Sequence, residues 1–186
     1  MAKIILGLVG QIASGKEVTK KYIREKYGAQ DCKFSTSLRD VLDRIEVPTS
    51  RENLQKLSTI LRENFGEDLL ARVIAKDASK LDTDVVVIDG VRRLGDIKHL
   101  RELPNFFLVG VVADPKIRYE RLIMRNENEG DNKKTFEEFL KDQESEADRE
   151  IPEVLSVAKK IINNDGLLDE LYRQIDDIMS DLLGKK

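Results

Sequence analysis

The sequence predicts an α/β protein built on a parallel sheet, and two observations carry that prediction. Short runs of β-branched and other apolar residues recur along the chain. Most of these runs are nearly continuous, as expected for strands buried on both faces of a sheet. Longer amphipathic segments separate them, and strands that alternate with crossover helices form parallel sheets. The 186 residues suffice for one domain with a sizeable core. We therefore expect a single domain, 1–186.

Five segments predict strands: 3–9, 32–35, 84–89, 106–113 and 159–164. Between them, an amphipathic segment from 16 stops at Gly28, a residue that commonly ends helices. Ser50 is placed to cap a second helix, which ends at Gly66. The tail 166–184 repeats apolar residues at helical spacing. The single cysteine, Cys32, falls within the second predicted strand and is expected to be a small core residue.

Composition and charge exclude several classes of function. The net charge of −3, with aromatic residues at 5%, gives no electrostatic footprint for nucleic acid or an anionic membrane. No segment approaches the ~20 consecutive apolar residues of a membrane span. The opening "MAKIILGLVG" predicts a first strand and not a signal peptide. We expect a cytoplasmic protein with neither a nucleic-acid nor a membrane partner.

The stretch "GQIASGKE" (10–17) matches seven of the eight positions of the phosphate-binding pattern G-x-x-x-x-G-K-[ST]. It lies directly after a predicted strand and before a predicted helix, where this mechanism requires it. Glycines let backbone N–H groups cradle phosphate oxygens at the positive end of the helix dipole. Lys16 would reach the β- and γ-phosphates. The predicted nucleotide-binding residues here are Gly10, Gln11, Ala13, Ser14, Gly15, Lys16, Glu17 and Val18.

Glu17 stands where the pattern requires a hydroxyl that ligates Mg²⁺. Thr19 does not replace that hydroxyl, because it points to a different side of the helix. Glu17 either helps to hold Mg²⁺, directly or through water, or turns to solvent. Asp89 ends the third predicted strand, where an acid orients hydrated Mg²⁺ in phosphoryl-transfer enzymes. The metal prediction is therefore Asp89 with Glu17, against the alternative that Asp89 caps a turn.

Arginines follow two of the predicted strands. Arg92 and Arg93 come at the carboxyl edge of the sheet, where they can grip a second phosphate. Arg118, Arg121 and Arg125 lie at i, i+3 and i+7, on one face of the helix after the fourth strand. Each alone could form a surface ion pair. Together they predict charge neutralisation during phosphoryl transfer.

The segment 126–150 is very polar and strongly acidic. It predicts either a solvated surface helix or a mobile lid over a phosphate site, since lids belong to the least stable parts of a fold.

Four stretches, "GQIASGKE", "STSLRDVL", "IDGVRR" and "IINNDGLLDEL", resemble the P-loop nucleoside monophosphate kinases, in particular the deoxynucleoside monophosphate kinase branch. They are spread over most of the chain. The resemblance implies a three-layer P-loop NTPase fold whose five-stranded sheet has the order 2-3-1-4-5. It also implies ATP and Mg²⁺ as cofactors and a small-molecule phosphate acceptor, bound by a helical insert at about 36–80.

The resemblance assigns roles to particular residues. Arg39 corresponds to the arginine that grips the acceptor's phosphate, and Arg62 is nominated more weakly. Arg92 corresponds to a substrate-contacting arginine, and Arg121 and Arg125 would close over the transferring group. The branch often has an acid after the P-loop lysine, as at Glu17, but it has threonine where this chain has Val18. The remaining candidates are Ser35 and Arg93 for the acceptor, and Asn164 and Gly166 in a loop that packs against adenine.

The acceptor decides whether catalysis needs a base. A nucleoside monophosphate offers a phosphate oxygen that is largely ionised near neutrality, so none is required. A hydroxyl acceptor, as in the related dephospho-coenzyme A kinases, benefits from an aspartate near the end of the second strand. Here "KFSTSLRD" has no acid before Asp40, which favours the monophosphate. Dephospho-coenzyme A kinase and a nucleotide-binding protein without turnover remain the alternatives. "NKKT" (132–135) does not match the guanine-reading N-K-x-D.

Overall fold

Five parallel strands form one sheet at the centre of the molecule, in the spatial order β2-β3-β1-β4-β5. The computed structural model describes residues 4–125, 131–144 and 148–184. The all-parallel α/β class and the order 2-3-1-4-5 are thereby confirmed. The strands are β1 (Ile4–Val9), β2 (Gln30–Lys33), β3 (Val85–Asp89), β4 (Phe106–Val112) and β5 (Lys160–Asn163).

Helices connect the strands and cover both faces of the sheet. Within the described residues the α-helices are α1 (Lys16–Tyr27), α2 (Phe34–Arg44), α3 (Arg51–Phe65), α4 (Leu69–Lys80), α5 (Leu94–Ile97), α6 (Pro115–Arg125), α7 (Phe136–Asp142), α8 (Ile151–Ser156) and α9 (Leu168–Leu183). Two short 3₁₀ turns cover Leu100–Glu102 and Asp131–Lys133. No helix in the described ranges combines the length and the apolar character needed to cross a membrane.

Alternate residues of the central strands belong to two separate hydrophobic cores, because successive side chains of a strand point to opposite faces of the sheet. In β1, Ile5 and Val9 pack on the face covered by α2, α4 and α8. Leu6 and Leu8 pack on the other face, which α1 and α9 cover. The molecule therefore has three layers, as the resemblance implied.

The second strand lies two residues earlier than the sequence predicted and has the same length. It ends at Lys33, and Phe34 already begins α2. The apolar residues Phe34, Leu38 and Leu42 recur every four residues and are all buried, so this segment follows the helical period. The prediction of strand at 34–35 was wrong because one apolar residue in a short run fits either period.

Two predicted helix boundaries are confirmed. Gly28 ends α1 in the left-handed conformation with φ 66°, and its N–H donates to Arg24 O. Ser50 caps α3, where its hydroxyl accepts a hydrogen bond from Asn53 N at 3.2 Å. Both match the residue preferences of helix ends. Cys32 is buried as predicted, and burial raises the pKa of its thiol to about 11.

The far end of α1 is fixed to α9 by a cluster of tyrosines. Asp176 accepts hydrogen bonds from the hydroxyls of Tyr22, at 3.0 Å, and Tyr27, at 2.7 Å. The ring of Tyr22 also stacks on Tyr172, with centroids 3.9 Å apart. Lys26 Nζ lies 2.7 Å from the same Asp176 carboxylate. The helix that follows the predicted phosphate loop is thereby held in place at its carboxyl end.

The polar segment after α6 folds back onto that helix. Phe139 of α7 is buried and packs near Tyr119 and Phe136. The guanidinium of Arg118 lies 5.4 Å from the Phe139 ring centroid. Of the predicted lid-like segment 126–150, the stretches 126–130 and 145–147 lie outside the described residues. The described part contains the helix α7 with its buried Phe139, and the choice between a surface helix and a lid stays a prediction.

Candidate active site

Two adjoining cavities open at the carboxyl edge of the sheet, where ligands bind in open α/β proteins. The larger has a volume of about 760 Å³ and the smaller about 360 Å³. Four residues line both cavities: Arg51, Asp89, Gly90 and Arg92. A ligand in one cavity would therefore lie directly beside a ligand in the other.

The predicted phosphate loop forms the floor of the larger cavity. Of the ten residues predicted to bind nucleotide, nine line it, and the exception is Gln11. The Gln11 amide instead donates to Gln143 Oε1 at 2.8 Å, which connects the loop to the end of α7. The nine are Gly10, Ala13, Ser14, Gly15, Lys16, Glu17, Val18, Asn164 and Gly166.

Both loop glycines are required by close approaches of other atoms. A Cβ on Gly10 would lie 2.3 Å from the carbonyl oxygen of Val111. Gly15 has φ 105°, and a Cβ there would lie 2.0 Å from Nδ2 of Asn164. That amide donates to Ser14 O at 2.9 Å, so the loop before α9 braces the phosphate loop directly. Asn164 thus has a structural contact in addition to its place in the cavity.

The ammonium group of Lys16 lies against the loop itself. Its Nζ donates to the carbonyl oxygens of Gly10 at 2.5 Å and Gln11 at 3.0 Å. Burial lowers the pKa of Lys16 to about 8, opposed by the nearby carboxylate of Asp89. A phosphate placed in the loop would offer this ammonium a stronger, charge-assisted partner than the two carbonyls do.

The two predicted metal ligands are joined by a lysine. Nζ of Lys20 lies 2.6 Å from Glu17 Oε2 and 2.9 Å from Asp89 Oδ2. The ammonium therefore occupies the space between two carboxylate oxygens that Mg²⁺ would need, so these residues do not fit direct coordination of that ion. Nor do the described residues contain any group of three or more His, Cys, Asp or Glu side chains placed to hold a metal. Thr19 is fully buried and lies outside the cavity, as its helical position predicted.

Three predicted arginines line the larger cavity: Arg92, Arg121 and Arg125. Arg92 is half-exposed and lies 3.3 Å from Asp148 Oδ1. Nη1 of Arg121 is buried and has no hydrogen-bond partner among the described residues. Leaving a buried cationic donor unpaired costs free energy, and a bound anion would supply the missing partner. Arg118, the third member of that helix face, instead donates to the carbonyls of Ala113 and Ile12 and supports the loop.

The smaller cavity contains the predicted acceptor residues Ser35, Arg62, Arg92 and Arg93. Arg62 is buried and its guanidinium pairs with Asp96 Oδ1 at 2.9 Å. The other oxygen of Asp96 accepts from the backbone N–H groups of Arg92 and Arg93, each at 3.0 Å. Arg62 therefore holds the carboxylate that shapes the arginine turn, a contact that the sequence did not reveal.

Arg39, like Arg118, is a predicted arginine that the structure does not bring to either cavity. The buried positions of α2 are Phe34, Leu38 and Leu42. Arg39 lies one residue, about 100° of helical rotation, beyond Leu38, and its side chain is exposed. Its place at the junction of the cavities is taken by Arg51 of α3, which sequence reasoning missed. The only local signal is its position directly after the Ser50 cap.

Comparisons with known proteins agree with this architecture. No protein-family model matches the chain. A UPF0200 protein of Saccharolobus islandicus is 31% identical over 183 residues, covering 97% of this chain and 94% of its own length. A UPF0200 protein of Pyrococcus abyssi is also 31% identical, with 97% of both chains covered. The chain belongs to the UPF0200 family.

Solved structures of kinases share the fold at much lower identity. A shikimate kinase from Bacteroides thetaiotaomicron matches with a TM-score of 0.58 and 14% identity, covering 97% of this chain and 98% of its own. A gluconokinase from Sinorhizobium meliloti matches with a TM-score of 0.53 and 13% identity, covering 100% and 98%. These likenesses establish the P-loop kinase fold. They do not distinguish the nucleoside monophosphate kinases from other kinases of that fold.

Proposed function

We propose that this protein transfers the γ-phosphoryl group of ATP to the phosphate of a nucleoside or deoxynucleoside monophosphate. The observation that carries the proposal is the junction of the two cavities. The larger contains a glycine loop and a lysine suited to a triphosphate, and the smaller adjoins it through Arg51 and Arg92. Two anions bound side by side need cations between them, and both arginines lie at that position.

The donor is assigned to the larger cavity. Backbone N–H groups of the loop at Gly10–Lys16 and the N-terminus of α1 would hold the β- and γ-phosphates. Lys16 would leave its carbonyl partners for the phosphate oxygens, and Arg121 would find in the phosphates the partner that its buried Nη1 lacks. Apolar side chains at the cavity wall, among them Met124 and Leu168, would lie against the base.

The acceptor is assigned to the smaller cavity. Its volume of about 360 Å³ falls within the ~300–1,000 Å³ range of small-molecule sites. Ser35 and residues of α3 line one wall, and the arginine turn at Arg92 lines the other. The α3 residues of the first wall lie within the proposed acceptor-binding insert at about 36–80. We assign the described part of 126–150 to a lid, since Asp148 reaches Arg92 and Gln143 reaches Gln11.

The lack of a free base favours a phosphate acceptor over a hydroxyl. Among the described residues that line the smaller cavity, the carboxylates are Asp89 and Asp96. Asp89 pairs with Lys20 and Asp96 with Arg62, while Asp40 is exposed and outside the cavity. A phosphate oxygen needs no deprotonation, so positioning and charge neutralisation suffice for transfer.

In the transfer, the bond from the γ-phosphorus to the β–γ bridging oxygen breaks and a bond to an acceptor phosphate oxygen forms. The products are ADP and a nucleoside diphosphate. Lys16 would stabilise the charge on the bridge, Arg92 and Arg51 would hold the acceptor's phosphate, and Arg125 with Arg121 would neutralise the transferring group. ATP is expected to bring Mg²⁺ as a counter-ion ligated by its phosphates and water, and a water-mediated contact from Asp89 stays a prediction.

The test is ADP release from ATP and Mg²⁺ with each ribo- and deoxyribonucleoside monophosphate in turn, and with dephospho-coenzyme A in the same panel. The expected result is turnover on one or a few monophosphates, absent in the Lys16→Ala variant. Turnover on dephospho-coenzyme A alone would replace the acceptor assignment. Tight ATP binding without turnover on any acceptor would identify a nucleotide-binding protein and reject the kinase.

A further inference from the structure

Lys20 is a charged residue buried beneath the phosphate loop. Its side chain is 2% exposed, whereas those of its partners Glu17 and Asp89 are 71% and 27% exposed. Both partners line the donor cavity, and Lys20 does not. The Lys20 side chain therefore extends from the buried face of α1, and its ammonium contacts two carboxylates that line the donor cavity.

The ammonium lies between two carboxylate oxygens, which are atoms that could also ligate a divalent cation. Two carboxylate oxygens converge on Nζ at 2.6 and 2.9 Å, from the residue after the loop lysine and from the end of β3. Without the lysine, these two negative charges would face the triphosphate directly and repel it, or they would bind a divalent cation between them. With the lysine, one positive charge is already present at that point.

Lys20 has two charged partners. Its ammonium donates to the carboxylates of Glu17 and Asp89, and no other contact is needed to balance its charge. A buried ammonium with two carboxylate partners is the paired arrangement that makes burial of a charge tolerable. The pairing with Glu17 also explains why an acid follows Lys16, since a threonine there would leave Lys20 with one partner fewer.

We propose that Lys20 is a built-in cation of the donor site. It occupies the place where Glu17 and Asp89 would otherwise ligate a divalent metal, so the free protein holds no such ion there. The loop then binds the nucleotide's phosphates without any metal ligand from the protein. This inference rests on the proposed nucleotide site for its second part, while its first part concerns the free protein alone.

The first experiment measures Mn²⁺ binding by electron paramagnetic resonance in the absence of nucleotide. Three proteins are compared: wild type, Lys20→Met and Lys21→Met. Lys21 is the control because it is the adjacent lysine of α1 and is 64% exposed. Wild type and Lys21→Met are expected to bind no Mn²⁺, and Lys20→Met is expected to gain one ion per chain.

Stoichiometric binding by wild type that Asp89→Asn abolishes would overturn the proposal, and so would a folded Lys20→Met protein without a site. The wild-type measurement decides even if Lys20→Met fails to fold.

The second experiment measures ATP affinity in EDTA and in Mg²⁺ for the same three proteins. Wild type should lose little affinity in EDTA. Lys20→Met should bind at least about tenfold more weakly than wild type in EDTA, because two uncompensated carboxylates then face the phosphates. Mg²⁺ should restore most of that loss. Equal EDTA sensitivity in wild type and Lys20→Met would overturn the nucleotide part of the proposal. Failure of every protein to bind ATP would reject the proposed function instead and leave the Mn²⁺ result standing.

Discussion

The two cavities are built by different means. The donor cavity is formed largely by backbone, held by glycines at Gly10 and Gly15 and braced by Asn164. The acceptor cavity is formed by long side chains, and its arginines are held by carboxylates such as Asp96 and Asp148. A backbone site depends on positions where no Cβ fits, such as Gly10 and Gly15, whereas a side-chain site depends on which partner each arginine has.

Because of this difference, residue type predicts the role of a residue in the donor cavity but not in the acceptor cavity. On the donor side, the spacing of the glycines and the lysine in the loop predicts the role of each residue. On the acceptor side, Arg62 and Arg92 are the same residue type and line the same cavity. Arg62 is fixed by a buried ion pair, while the ion pair of Arg92 with Asp148 is partly exposed, so that a ligand anion can compete for Arg92. Variants can test whether that distinction holds in function.

The largest effect is expected from Lys16→Ala. The variant removes the ammonium that lies against the loop carbonyls, and kcat should fall by about 10²–10³-fold, the size typical of losing one electrostatic stabiliser. Thermal unfolding should change little. Steady-state ADP release checks the first expectation, with Lys21→Ala as the control. Wild-type activity in Lys16→Ala would refute the donor assignment.

The two glycines at the ends of α1 offer a matched pair. Gly15→Ala forces a Cβ into the Asn164 amide at φ 105°, so ATP binding should be lost. Gly28→Ala meets nothing within 4 Å, although φ is 66°, and should cost only about 1–2 kcal/mol of stability for the left-handed conformation. Calorimetric ATP titration and thermal melts of both variants make the comparison. If Gly15→Ala binds ATP as wild type does, the backbone description of the donor cavity is wrong.

Arg62→Ala and Arg92→Ala should separate stability from function. Removing Arg62 leaves the buried Asp96 without its ion-pair partner, which costs about 3–5 kcal/mol of unfolding free energy for a buried pair. Removing Arg92 should leave the unfolding free energy nearly unchanged but lower kcat/KM for the acceptor by about 10²-fold. Urea denaturation and acceptor kinetics measure the two. The reverse pattern would contradict the roles assigned here.

The pKa of Lys16 predicts a pH dependence on the donor side. Because burial lowers that pKa to about 8, the Lys16 side chain is positively charged below pH 8. It loses this charge as the pH rises above 8. ATP affinity should therefore weaken between pH 7.5 and 9.5, by about tenfold per pH unit at most. Calorimetry across this range should show the decline in wild type and a flat profile in Lys16→Ala. Equal slopes in both proteins would assign the dependence to another group.

The smallest effect is expected at Arg39. Its side chain is exposed and outside both cavities, so Arg39→Ala should alter neither acceptor kinetics nor stability by more than ~0.5 kcal/mol, as is usual for surface positions. Arg51→Ala should raise the KM of the acceptor. Parallel kinetic measurement of the two variants tests the exchange of roles. An Arg39→Ala variant with a strongly raised acceptor KM would show that α2 moves when the acceptor binds.

The sequence predicted the fold and the donor loop because their signals are local. Continuous apolar strands mark a parallel sheet, and the phosphate loop is one short stretch between a strand and a helix. The second strand was misplaced because Phe34 fits both a strand and the helical repeat of Leu38 and Leu42. The pairs Arg62–Asp96 and Lys20–Asp89 join residues 34 and 69 positions apart, and nothing in the sequence connects them. The i, i+3 spacing of Glu17 and Lys20 was the only signal of that cluster.

The hydrogen bond from Asn164 to Ser14 joins residues 150 positions apart. During synthesis on the ribosome, the phosphate loop emerges long before its brace, which follows β5. Domains generally fold as units while they are made. A nascent chain that ends before β5 would therefore expose a glycine loop without its support, and nucleotide capture would wait until the sheet is complete. The growing chain would thus gain affinity for nucleotide only once the fold is complete.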